Sequence, residues 1–224
     1  MDDKLASSTI KAIDEYTINE IGIPSMVLME RAALAITSKL LENSEYSKKT
    51  YAIVCGTGNN GGDGLAVGRL LHQAGKKVTL YLVGSRDSGS AEFKKQLTIV
   101  ENIELPVMTF DADTRSFEED VVIDAIFGIG LSREVEEPHR TAIESINRSA
   151  GEIIAVDVPS GLSADTGEVF GTAVRADITY TIGFMKQGFD RADGVKHTGK
   201  VNRVSIGYPE DRLLENVIRK EQKE

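Results

Sequence analysis

A glycine-rich segment between an apolar run and a helical stretch constrains the fold of this chain most. Residues 51–55 are apolar, residues 56–64 read GTGNNGGDG, and residues 65–71 have helical character. A strand that runs into a glycine turn and then a helix directs backbone N–H groups toward the turn. These groups lie at the positive end of the helix dipole, which suits a phosphate or diphosphate group. The segment therefore predicts a strand–turn–helix unit that binds an anionic ligand.

The residue types inside this segment narrow the interpretation. Gly56, Gly58 and Gly61 satisfy the G-x-G-x-x-G spacing of dinucleotide-binding folds, a pattern that is weak on its own. Asn59 and Asn60 add two carboxamides to the segment. Together with the carboxylate of Asp63, they offer oxygen ligands and hydrogen-bond groups that a simple dehydrogenase loop lacks.

Apolar runs alternate with helical stretches along most of the chain. Two amphipathic helices are predicted first, one capped by residues 7–9 and ending at Gly22, the other running from Pro24 to about Leu41. Further helices are predicted over 63–73, 91–100 and 140–149. Strands are predicted over residues 51–55, 77–83, 106–110, 121–127, 153–158, 178–182 and 201–206. This alternation is typical of an α/β fold with a mostly parallel sheet covered on both faces.

The sequence also predicts how the sheet ends and how the chain is divided. No helix of comparable length separates the last two predicted strands, so part of the sheet edge is expected to be antiparallel. One domain is expected, with an N-terminal helical region over 1–48, a core over 49–208 and a C-terminal tail over 209–224.

Composition limits the classes of function. The net charge of −9 argues against broad binding to nucleic acid or to an anionic membrane, since both need a basic surface. There is no long apolar run and no secretory signal pattern at the N-terminus. The single cysteine, Cys55, cannot form an internal disulfide. A cytoplasmic protein is therefore expected.

Two apolar strands end on carboxylates. Asp124 lies in the run VVIDAIFGIG, and Asp157 ends the run IIAVDVPSG. Each could cap a neighbouring loop, or each could serve a ligand at the carboxyl edge of the sheet. Asn60, Asp124 and Ser160 could together offer hard oxygen ligands to a cation.

Four separated motifs, GTGNNGGDG, VIDAIFGIGL, AVDVPSGLSADTG and ADITYTIGFMKQG, resemble the NAD(P)H-hydrate epimerase family, also called the YjeF N-terminal domain family. The similarity extends from Ile10 to about Ile206. It implies a Rossmann-like three-layer sandwich with two N-terminal helices, a homodimer and a bound potassium ion. It also implies an isomerase that interconverts the R and S forms of NADHX and NADPHX, beside an ADP- or ATP-dependent dehydratase that repairs the S form.

The resemblance also implies site residues. Asn60, Asp124 and Ser160 would bind potassium. The substrate would contact two segments and one strand end: Asn59, Asn60, Gly61, Gly62, Asp63, Gly128, Ile129, Gly130, Leu131, Ser132, Arg133, Glu134 and Asp157.

The chemistry of the hydrate points to two catalytic candidates. Its hydroxyl sits on a ring carbon next to nitrogen, so inversion requires loss of water to an iminium-like cation and return of water to the opposite face. Asp157 could protonate the departing hydroxyl, stabilise the cation and deprotonate the incoming water. Lys186 is a second possible proton donor or a phosphate contact.

Two alternatives stay open at this point. A plain NAD-dependent dehydrogenase expects an acidic residue at the end of the second strand, where the chain has Leu82-Val83-Gly84-Ser85. A scaffold or ligand-binding module on the same fold would be free to lose the polar site residues, which are intact here. The sequence also leaves open whether the chain is free-standing or cut from a fusion with the dehydratase.

Overall fold

A seven-stranded parallel sheet forms the centre of the molecule. The computed structural model describes residues 4–46 and 49–209, so the predicted tail lies outside the described residues apart from its first residue. In spatial order the strands are β4, β3, β2, β5, β6, β7 and β9. Their bounds are Val107–Thr109 (β4), Lys77–Leu82 (β3), Thr50–Cys55 (β2), Val121–Ala125 (β5), Glu152–Val156 (β6), Ile178–Ile182 (β7) and Lys200–Val204 (β9).

Helices cover both faces of the sheet. The helices are α1 (Ser7–Asn19), α2 (Ser25–Glu42), α3 (Asn59–Gln73), α4 (Ala91–Asn102), α5 (His139–Arg148) and the short α6 (Gly194–Thr198). One face packs against α2, α3 and α4 through side chains such as Ile36, Leu65 and Phe93. The other face packs against Ile143 and Ile146 of α5. The predicted α/β three-layer fold with two N-terminal helices is confirmed.

The expected antiparallel sheet edge is wrong. Strand β9 pairs with β7 in parallel register, with Ile178 opposite Lys200 and Ile182 opposite Val204. The connection between them contains a short strand, a 3-10 turn and α6. It is long enough to return the chain to the starting end of the sheet, which a parallel pair requires.

Two local expectations also change. Helix α3 begins at Asn59, four residues before the predicted start, so most of the glycine-rich segment is the first turn of a helix. Helix α1 begins at Ser7, and no side chain of its preceding residue caps it. The Ser7 N–H instead donates to the Asp165 carboxylate at 2.6 Å, a cap from a distant part of the chain.

A second, two-stranded sheet joins the start of the chain to the segment after β7. Strand β1 (Lys4–Leu5) pairs in parallel with β8 (Met185–Lys186), with Leu5 opposite Lys186. Leu5 also packs with Ile10, Ile13 and Phe184 in a small apolar cluster. This cluster anchors α1 beside the carboxyl edge of the main sheet.

The strand order places the chemistry-bearing segments together. The chain runs from β2 outward to β3 and β4, then returns to the other side of β2 with β5. Loops that follow the two strands at such a reversal diverge and leave a crevice between them. Among the described residues, no helix is both long and apolar enough to span a membrane.

Candidate active site

A cavity of about 880 Å³ opens at the carboxyl edge of the sheet. Most residues expected to contact substrate line it: Asn59, Asn60, Asp63, Gly128, Ile129, Gly130, Leu131, Ser132, Arg133 and Asp157. Gly61, Gly62 and Glu134 do not line the cavity, and neither do Asp124, Ser160 and Lys186, which lie behind its wall.

The glycine segment allows α3 to pack tightly against the turn that precedes it. A Cβ at Gly61 would collide with the carbonyl oxygen of Gly56. A Cβ at Gly62 would lie 2.8 Å from the Met29 side chain. The N-cap Gly58 has no side chain to accept the N–H groups of the first turn. The start of α3 therefore presents donors and a positive dipole end to an anionic ligand.

Asp124 ties the exits of β5 and β6 together beneath the cavity. Its Oδ1 accepts hydrogen bonds from the Ser160 hydroxyl at 2.6 Å and from the Ile126 N–H at 3.2 Å. Its Oδ2 accepts the Ser160 N–H at 2.7 Å. The Phe127 N–H donates to Ser160 Oγ at 2.8 Å. Burial raises the pKa of Asp124 to about 6, although these hydrogen bonds oppose the rise.

The buried polar groups at this place fit a cation. Asp124 is fully buried and, among the described residues, forms no ion pair with a basic side chain. The Asn60 carboxamide is also buried, and neither its oxygen nor its nitrogen has a hydrogen-bond partner in the described part of the chain. Asn60 Cγ would be 3.4 Å from a Cβ at Gly128, so the amide abuts the loop that Asp124 and Ser160 hold. An unsatisfied amide oxygen and a buried carboxylate without an ion pair are oxygen ligands of the kind that a hard cation takes.

Asp157 is held in an uncommon backbone conformation with one oxygen toward the cavity. Its φ is +67°, a left-handed value that few residues other than glycine adopt. Its Oδ1 accepts the Ile182 N–H at 3.1 Å and pairs with the Lys186 ammonium group. Its Oδ2 would lie 3.1 Å from a Cβ at Gly128. Strained residues of this kind concentrate at functional sites.

Lys186 supports Asp157 from behind. Its side chain is fully buried, and its Nζ also donates to the Ile182 carbonyl at 2.8 Å. Because the ammonium group does not reach the cavity, its position argues against contact with a substrate phosphate. Lys186 thus joins the Asp157 carboxylate to the Ile182 carbonyl at the end of β7.

Two cavity residues carry no role in the sequence-based prediction. Asp14 of α1 accepts a hydrogen bond from the hydroxyl of Tyr208, which follows β9. Burial raises the pKa of Asp14, and the Tyr208 hydrogen bond opposes that rise. Asp14 lies within the part of the chain, from Ile10 onward, that resembles the family, and this is the signal that could have drawn attention to it. Tyr208 has no comparable signal, because only the fold brings it to Asp14.

The cavity is acidic inside and has an arginine at its rim. Asp14, Asp63 and Asp157 all line it. Burial raises the pKa of Asp63 well above its usual range, and the charges of Asp157 and Asp14 add to the rise. Arg133, by contrast, is exposed to solvent. The arrangement suits a ligand with a cationic or cation-forming ring inside and phosphates outside.

The Lys186–Asp157 pair gives a stability prediction. Lys186→Met and Asp157→Asn are each expected to lower the free energy of unfolding by about 3–5 kcal/mol, because each leaves a buried group without its partner. The double variant should lose less than the sum, with a coupling of about 1–3 kcal/mol. Urea unfolding of the four proteins measures this coupling. Strictly additive losses would contradict a buried ion pair.

The comparisons with known proteins agree with this geometry. The family model described as YjeF-related protein N-terminus matches residues 25–188. A protein named NAD(P)H-hydrate epimerase from Limosilactobacillus fermentum is 43% identical over 197 residues, covering 88% of this chain and 93% of the relative. One of the same name from Oenococcus oeni is 42% identical over 206 residues, covering 92% of this chain and 97% of the relative.

A solved structure shares the fold. The crystal structure of the yeast protein ynu0 superposes with a TM-score of 0.75 at 21% sequence identity, covering 90% of this chain and 87% of the yeast chain. The match of the family model over most of the chain, supported by relatives above 40% identity, shows that the chain belongs to the YjeF N-terminal family.

Proposed function

We propose that this protein interconverts the R and S epimers of NADHX and NADPHX, the hydrates of NADH and NADPH. The observation that carries the proposal is the Asp157 carboxylate, held by Lys186 and directed into a cavity between the glycine turn and the loop after β5. The names of the relatives agree with it.

The residues of the cavity suit each part of the substrate. The first turn of α3 offers N–H groups to the diphosphate, and exposed Arg133 adds positive charge at the rim. The ring would lie among the carboxylates, where the Asp157 charge stabilises the iminium-like cation that forms when water leaves. Asp157 then takes a proton from the water that returns.

The first test is epimerisation itself. Proton NMR of S-NADHX should show the R epimer forming well above the spontaneous rate. Asp157→Asn should slow turnover by about 100-fold or more, the range for loss of a general base, while affinity for the nucleotide stays within a few-fold. Asparagine tolerates positive φ, so the backbone can keep its conformation.

A matched control comes from another aspartate–lysine pair. Asp193 pairs with Lys196 at 2.7 Å on the surface, away from the cavity. Asp193→Asn should retain wild-type turnover. A folded wild-type protein that does not accelerate epimerisation would reject the enzyme and favour a ligand-binding or scaffold role on the same fold.

The same proposal includes a potassium ion held by Asn60, Asp124 and Ser160. The unpartnered Asn60 amide and the uncompensated Asp124 charge support it. A bound potassium ion would be the positively charged partner of the Asp124 carboxylate and would hold the loop after β5 in place.

The potassium proposal predicts a cation-specific stabilisation. KCl should raise the thermal midpoint more than LiCl at equal ionic strength, by the equivalent of about 2.7 kcal/mol at 100 times the dissociation constant. Asn60→Ala should remove the difference, whereas Asn59→Ala, its exposed neighbour, should keep it. Equal midpoints in the two salts would contradict the site.

We also propose a homodimer that uses the outer face of α2. Val27, Leu34 and Leu41 are 45%, 47% and 41% exposed and recur every seven residues along this helix. Such an apolar stripe suits helix packing between two copies. A separate ADP- or ATP-dependent dehydratase as the functional partner, and a cytoplasmic location, belong to the same proposal.

Light scattering coupled to gel filtration tests the dimer. The wild type is expected at twice the mass of one chain, and Leu34→Lys is expected to produce monomers because it places a charge in the stripe. Ile99→Lys, at an exposed apolar position on α4, is the control and should stay dimeric. A monomeric wild type would overturn the assignment.

A further inference from the structure

The three carboxylates of the cavity differ in their hydrogen-bond donors. Asp157 is held by Lys186 and the Ile182 N–H, and Asp14 by the Tyr208 hydroxyl. Asp63 has no hydrogen bond or ion pair with any residue in the described ranges 4–46 and 49–209. Its side chain still lines the cavity. Asp63 is therefore an unpartnered carboxyl group that a ligand can reach.

The surroundings of Asp63 disfavour a negative charge on it. Asp63 is half-buried at the cavity wall, where desolvation and then the like charges of Asp157 and Asp14 raise its pKa well above the usual aspartate range. Among the described residues, Lys186 is the basic group that pairs with Asp157, and its ammonium group is already committed to that carboxylate. Where several carboxyl groups share a site, the group without donors keeps the proton.

Other ionisable groups around the cavity do not change this assignment. They are Lys11 of α1, Glu92 of α4, Arg133 and His139 near the loop after β5, and Tyr208 after β9. None of them contributes to the rise in the pKa of Asp63, which comes from burial, Asp157 and Asp14.

Epimerisation needs a proton donor that the Asp157–Lys186 pair does not provide. In the direction that starts with Asp157 ionised, the hydroxyl of the hydrate leaves as water only after it gains a proton. A carboxylate bound to an ammonium group serves as an acceptor and as a stabiliser of positive charge. A second group must therefore supply the proton.

We propose that Asp63 is the general acid of the epimerisation, with Asp157 as its ionised counterpart. The Asp63 O–H bond breaks and its proton goes to the hydroxyl of the hydrate. The ring C–O bond breaks, its electron pair leaves with water, and the ring nitrogen lone pair forms the C=N bond of the cation. Water adds to the opposite face and gives a proton to Asp157. Proton exchange with solvent then returns the proton from Asp157 to Asp63. The reverse reaction runs through the same steps backwards, from the state in which Asp157 is protonated and Asp63 is ionised.

The order of the strands agrees with a proposal in which Asp63 and Asp157 lie on different sides of the substrate ring. Asp63 belongs to α3, which follows β2, and Asp157 follows β6. Strand β5 lies between β2 and β6 in the sheet. The two carboxyl groups therefore enter the cavity from elements that flank the loop after β5.

The test uses the intact protein and rests on the proposed epimerase activity. Asp63→Asn should lower kcat by about 100- to 10,000-fold, the usual contribution of a general acid. Binding of NADPH, followed by its fluorescence, should stay within about three-fold of wild type because the amide keeps the size of the carboxyl group. Asp63→Glu should recover part of the lost rate. Asp193→Asn is again the control.

Stability gives a readout independent of turnover. Well below a pH of about 3.9, Asp63 carries its proton in both the folded and the unfolded wild type. As the pH rises past about 3.9, the unfolded chain loses this proton while the folded protein keeps it, so the wild type loses stability until the pH passes the raised folded pKa. Asp63→Asn should therefore melt higher than wild type at pH 7, with the difference shrinking as the pH falls and vanishing well below a pH of about 3.9.

The outcomes separate this proposal from the proposed function. An inactive wild type rejects the epimerase. An active wild type with Asp63→Asn within three-fold of its kcat overturns the general acid and leaves the epimerase intact. Weakened NADPH binding at unchanged kcat would also overturn it, by making Asp63 a binding residue only. If Asp63→Asn does not fold, the wild-type pH–rate profile decides: kcat should fall at alkaline pH, and a flat profile rejects the acid.

Discussion

The buried carboxylate of Asp124 holds the candidate site together. It accepts the hydroxyl and N–H of Ser160 and the N–H of Ile126, so one side chain fixes the exits of two neighbouring strands. A fully buried carboxylate is costly unless donors or a cation compensate it. The position of the loop after β5, and with it one wall of the cavity, depends on that compensation.

The aspartates at and behind the cavity have the same side chain but different contacts. Asp124 is a structural tie, Asp157 is an ion-paired carboxylate on a strained backbone, and Asp14 accepts a phenol hydrogen bond. Asp63 has burial and like charges but no donor. These aspartates therefore lie in different electrostatic surroundings, and such differences are what acid–base chemistry requires.

The sequence was sufficient for the parallel sheet and for the convergence of the glycine turn, Asp124 and Asp157, because carboxyl ends of adjacent parallel strands must meet. It could not show that Asp63 and Asp14 share a cavity, since α1 reaches the site through packing with distant residues such as Phe184. The Asp14–Tyr208 contact joins opposite ends of the described chain. The prediction of strand direction at the sheet edge was wrong for a related reason. The connection between β7 and β9 contains only short elements, which the sequence pattern did not reveal.

The short sheet formed by β1 and β8 links the beginning of the chain to the chemistry. Lys186 lies in β8, directly opposite Leu5 of β1, while its ammonium group holds Asp157. Protein engineers usually treat the first residues of a domain as a free attachment point. Here, a fusion partner or surface tether attached close to Lys4 would pull on β1, which pairs with the strand that contains Lys186. Such an attachment would therefore disturb the Lys186–Asp157 ion pair.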